Sequence, residues 1–120
     1  MGSEMLNEPV QLKIVPQAPV PQDLPTLREI AEKAARSCGA VKVILFGSVA
    51  RGNVNENSDL DLLLLVPDGA DLFKAGYDAQ APFIPRFFAM DLIPMHVSTF
   101  QNQESLLALE IAKYGVVLYG

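Results

Sequence analysis

Apolar and polar positions along the chain alternate between two periods, one of helices and one of strands. Leu27, Ile30, Ala31, Ala34 and Cys38 fall on one face at helical spacing, with Arg28, Glu32, Lys33 and Arg36 elsewhere. Thr26 and Glu29 stand at capping-box spacing, and Gly39 sits where a left-handed C-terminal residue is wanted, so a helix is expected from Thr26. Val41–Phe46 reads as a buried strand that Gly47 breaks, and a short helix is expected from Ser48. The segment 53–58 is rich in Asn, Glu and Ser, which is turn chemistry. Asp59–Val66 comes next as a second strand, stopped by Pro67, Asp68 and Gly69.

The second half is patterned more loosely. Asp71–Ala79 suits a short helix, and Pro82 and Pro85 give the residues beyond it a loop character. Arg86–Met95 carries a third strand signal, with Pro94 expected to fray its end. Ser98 and Gln101 repeat the capping-box spacing, and Phe100, Leu107, Ile111 and Tyr114 form an apolar stripe on one helix ended by Gly115. Val116–Tyr119 is a last short strand. This order predicts an α/β domain with a small mixed β-sheet and helices packed on one face. Five of the nine prolines lie before Thr26, so residues 1–25 are expected as a flexible leader or extended arm and 26–120 as the domain. Within that arm, Val10–Val15 could add an edge strand or dock on a partner.

Composition narrows the function classes. A chain of 120 residues, half of them hydrophobic, supports one domain with a real core. The net charge of −5 argues against non-specific nucleic-acid binding, which needs a basic surface. It leaves room for an anionic nucleotide if divalent cations neutralise a local acidic cluster. Cys38 is the single cysteine, which rules out an intramolecular disulfide; it reads as a small core residue on the helix stripe. No secretion signal is visible, and the longest apolar run, Leu62–Pro67, is far short of the roughly 20 residues that span a bilayer. A soluble protein of the cytoplasm is the expectation.

Two features carry candidate chemistry. Gly47 and Ser48 stand at a strand-to-helix turn, where helix N–H groups and the helix dipole suit phosphate. Taken alone, a Gly-Ser pair between two elements is usually just a turn. Asp59 and Asp61 occupy i and i+2 of a strand and so project from the same face. With apolar neighbours at Leu60, Leu62 and Leu63, the two carboxylates repel one another unless a cation lies between them, and magnesium fits an oxygen donor set. The pair alone also suits a solvated strand start. Lys42 and Arg86 flank strands and could meet phosphate or simply be solvated; the lone His96 has no companion with which to hold zinc.

The two halves together, GSVARG at Gly47–Gly52 and SDLDL at Ser58–Leu62, resemble the signature of the DNA-polymerase-beta-like nucleotidyltransferase superfamily. More narrowly, they resemble the minimal nucleotidyltransferases that pair with HEPN-domain proteins; the closing IAKYGVVLYG is a weaker match. The resemblance implies a polymerase-beta-like fold in which Gly47 and Ser48 hold a triphosphate and Asp59 and Asp61 bind magnesium, with two ions expected. It also implies a third carboxylate that joins the metal site and helps activate the attacking hydroxyl. Asp91, in FFAMDLI, is preferred over Asp78, because an acid among apolar residues is costly without a role. Arg51 either supports phosphate charge or locks the turn, and Ser58 orders the loop and strand entry beside the nucleotide.

The activity implied is transfer of AMP from ATP to a tyrosine hydroxyl of a partner, a HEPN-type toxin that this chain would neutralise as antitoxin. A subunit of the same fold that binds nucleotide or masks the toxin without catalysis is the alternative. A small-molecule nucleotidyltransferase fits less well, because such relatives carry an acceptor-binding domain.

Overall fold

The computed structural model describes residues 20–52, 59–85 and 88–120. The expected Val10–Val15 segment, the 53–58 turn with Ser58, and Arg86 lie outside them. The first helix, α1, spans Leu24–Cys38 and starts earlier than Thr26. Its cap is Asp23, whose carboxylate accepts from the Thr26 N–H at 3.1 Å and the Thr26 hydroxyl at 2.6 Å. Pro25 lies in the first turn, where a missing N–H costs nothing, so a proline that suggests an arm in fact opens the helix. Gly39, at φ 77°, closes it.

β1 (Lys42–Phe46) runs directly into α2 (Gly47–Ala50), and β2 (Leu60–Val66) comes after the turn. α3 (Leu72–Gln80) is capped by Asp71 and continues into a 3₁₀ turn, Ala81–Phe83, in place of a plain loop. β3 (Met90–His96) passes through Pro94 rather than fraying there. Among the described residues the sheet order β3-β2-β1-β4 puts β3 at an edge, where a strand tolerates the missing N–H on its outer side.

The single helix expected after Ser98 is two: α4 (Val97–Gln101) and α5 (Leu106–Tyr114). Gln103, at φ 51°, breaks the run, and Ser105 caps α5 by accepting from the Ala108 N–H at 3.0 Å. The start of α4 is held by Asp68, whose carboxylate accepts from the Ser98 N–H at 3.0 Å, so the Ser98–Gln101 spacing does not act as a capping box. Gly115 ends α5, and a Cβ there would come within 2.6 Å of the Ile44 side chain, so glycine lets α5 close onto the sheet. β4 (Val116–Tyr119) then pairs antiparallel with β1.

β2 is the centre of the molecule, parallel to β3 and antiparallel to β1. Its two faces feed two cores. Leu60, Leu62, Leu64 and Val66 pack with Leu27, Ile30 and Ala34 of α1 and with Ala75 and Ala79 of α3. Leu63 and Leu65 face the other way, with Ile44, Met95, Ala108 and Ile111. The main helical layer therefore lies on one face, and α4 and α5 add a smaller layer on the opposite face that the one-face expectation did not include. Each fully buried leucine contributes about 2 kcal/mol of apolar transfer energy, so this strand is pinned in register from both sides. Cys38 packs against the larger core, and burial pushes its thiol pKa up, as suits a small core residue. No helix among the described residues is long and apolar enough to cross a membrane.

Candidate active site

The face of β2 that carries Leu63 and Leu65 also carries Asp61, near the start of the strand. Asp61 stands opposite Phe46 of β1 on one side and Asp91 of β3 on the other. Asp59, two residues earlier, projects the same way. Carboxylate oxygens of Asp59, Asp61 and Asp91 all lie within 4.8 Å of one another. An all-oxygen set this tight suits a hard divalent cation.

Electrostatics agree with that reading. The Asp61 pKa is pushed up to about 6, first by burial, then by repulsion from Asp91 and Asp59 and a hydrogen bond shared with Asp91, while Arg51 opposes the shift. The metal-free folded protein therefore holds a proton on Asp61 more tightly than the unfolded chain does. Below about pH 4 both states are protonated and the group contributes no difference. Between about pH 4 and pH 6 ionisation becomes a growing cost to the fold. Melting without metal should thus become easier as pH rises through this window. Added magnesium should raise the melting temperature more at pH 8 than at pH 5, where protons compete for the same oxygens. A magnesium shift equal at both pH values would contradict the assignment.

Gly47 brings the turn up against this cluster. Its φ is 79°, in the left-handed region, and a Cβ on it would overlap the Asp61 carboxylate. Glycine is needed here twice over, for the backbone and for the space. Ser48 is the next residue of α2, and Arg51 is the residue that ends α2. Gly47 and Arg51 also form one wall of a cleft of about 390 Å³, whose floor is Phe46, Leu107 and Ile111. Leu106, Glu110 and Tyr114 of α5 complete it.

The remaining candidates fall elsewhere. Asp78 lies on α3 and pairs with Lys74 at 2.8 Å, one turn away on the same helix. Lys42 opens β1, at the end opposite Gly47, about 16 Å away at strand rise. The ring Nε2 of His96 meets the Ala70 carbonyl at 2.8 Å and ties down the loop after β2. Ser58 and Arg86 are outside the described residues. Sequence reasoning missed Glu110 as a lining residue. Its signal was present: Leu107, Glu110, Ile111 and Tyr114 share one helix face, with a carboxylate inside an otherwise apolar stripe.

Comparison with known proteins points the same way. The Nucleotidyltransferase domain family matches residues 24–118. A search of curated proteins found no match. Among solved structures, the chain is similar to a protein of Sulfolobus solfataricus assigned as a nucleotidyltransferase, with 25% identity and a TM-score of 0.51, over 78% of this chain and 77% of that one. It shares its fold with a toxin–antitoxin structure containing AMP-PNP, at 20% identity and a TM-score of 0.54, over 78% and 73% of the two chains. With glycine, serine and paired aspartates set on the fold that this match requires, the chain belongs to the nucleotidyltransferase domain family.

Proposed function

We propose that this protein is a magnesium-dependent nucleotidyltransferase that moves AMP from ATP to a hydroxyl, probed first as a tyrosine, of a partner protein. The observation that carries the reading is the meeting of Asp59, Asp61 and Asp91 within 4.8 Å beside the Gly47 turn. Family membership supports nucleotidyl transfer. The shared fold with a toxin–antitoxin structure holding AMP-PNP supports ATP as donor and an antitoxin role. The motif resemblance supports a HEPN-type toxin as partner and the cytoplasm as the setting.

In this reaction the acceptor oxygen forms a bond to the α-phosphorus of ATP, and the bond from that phosphorus to the pyrophosphate oxygen breaks. The three aspartates would hold the divalent ions, which supply neutralisation of the charge that develops on phosphate and acceptor oxygen. Asp91, exposed at the edge strand β3, accepts the proton of the incoming hydroxyl. Gly47 and Ser48 hold the triphosphate at the α2 turn, and Arg51 balances its charge. Positioning and preorganised charge do most of the work in such chemistry, so few side chains suffice.

The test is co-expression with a HEPN-domain partner, then intact-mass measurement of that partner. A mass gain of one or more AMP groups is expected with the wild-type chain and none with Asp59→Ala. If the partner is neutralised equally by Asp59→Ala, masking is the mechanism and the catalytic reading falls.

A further inference from the structure

Gly47 and Arg51 line one side of the cleft, and the side formed by Phe46 and α5 is at odds with polyphosphate. Across the rim the order is Asp91 on β3, Asp61 on β2, Gly47 at the end of β1, and then the cleft under α5. Among the described residues Asp91 lies exposed at the sheet edge, so that flank is open to an acceptor. The cleft lies on the other flank of Asp61, which leaves it to the nucleotide. Its floor of Phe46, Leu107 and Ile111 offers nothing to a charged phosphate tail, and the Glu110 carboxylate would repel one. At the mouth, Leu106 is 84% exposed and Tyr114 54% exposed. The volume of about 390 Å³ is within the range of small-molecule sites.

We propose that the cleft between α2 and α5 is the nucleobase subsite, that Tyr114 and the apolar floor stack the base, and that Glu110 selects bases bearing an exocyclic amine. A carboxylate only accepts hydrogen bonds. It matches the exocyclic amine of adenine, whereas uracil carries a carbonyl oxygen, an acceptor, at the corresponding position. Arg51, at the junction of cleft and turn, marks where the base side gives way to the phosphate side. The inference rests on the nucleotidyl-transfer reading.

Equilibrium binding to the full chain with magnesium tests it, using ATP, purine riboside triphosphate (the same ring without its amine), UTP and inorganic tripolyphosphate. ATP should bind about tenfold more tightly than purine riboside triphosphate or UTP, the worth of one hydrogen bond to a charged group. That gap should close in Glu110→Ala. Tyr114→Ala should weaken ATP about tenfold through lost stacking, measured against tripolyphosphate as the base-free reference. Thermal melts establish that both variants are folded, which their exposed positions favour. Equal binding of ATP and purine riboside triphosphate by the wild type, or a gap that persists in Glu110→Ala, overturns the subsite. Failure of the wild type to bind either ATP or tripolyphosphate overturns the nucleotidyl-transfer reading with it.

Discussion

Asp61→Asn is expected to lower nucleotidyl transfer by about 10³-fold while raising the melting temperature of the metal-free protein. The two effects have one cause. Asp61 is half-buried, stands in register with Asp91, and lies within reach of Asp59. Its charge is disfavoured in the folded protein, which is why its pKa rises to about 6. An amide of the same shape removes the repulsion and one of the three cation-binding carboxylates together. Rate measurements and melts at two pH values separate the parts. The stability gain should be largest at pH 8, roughly half as large at pH 5, midway through the window, and lost below about pH 4. Transfer that persists in Asp61→Asn would remove this residue from the reaction; a gain in stability equal at both pH values would remove the electrostatic cause.

Gly47→Ala should disable the site as thoroughly without touching any carboxylate. At φ 79° a side chain costs about 1–2 kcal/mol in backbone strain. The larger consequence is steric, since the new methyl group would occupy the space of the Asp61 Oδ2. That atom is the tip of a rotatable side chain, so the fold survives and the carboxylate turns away. Loss of at least 100-fold in activity is expected, in the range for a misplaced charge-stabilising group, together with a reduced magnesium shift in melting temperature. Gly52 supplies the control. It has the same φ of 79°, but among the described residues a Cβ there would meet nothing within 4 Å, so Gly52→Ala should carry only the backbone cost and keep its activity. Equal activity of the two alanine variants would refute the steric account.

Much of this architecture is legible in the sequence because it is local. The strands flanking Gly47, the i, i+2 spacing of Asp59 and Asp61, and the short helix near Asp71–Ala79 all depend on neighbours along the chain. The features left unread depend on distant partners. Asp68 holds the start of α4 from thirty residues away, which no local pattern announces. The division between α4 and α5 rests on Gln103 entering the left-handed region, an option open to few residues besides glycine. The same holds for the cleft, where Leu107, Ile111 and Tyr114 read as a core stripe until α5 is placed beside Gly47. Pro25 misleads for a different reason, since proline blocks the interior of a helix and yet suits its first turn.

Pro94 has an effect beyond its own strand. A sheet border offering an unbroken row of amide donors invites another chain to extend it, which is how runaway polymers begin. The parallel ladder continues through Pro94 opposite Leu64, so the interruption in that row faces outward. Among the described residues, the border next to Asp91 therefore resists capture by a foreign strand.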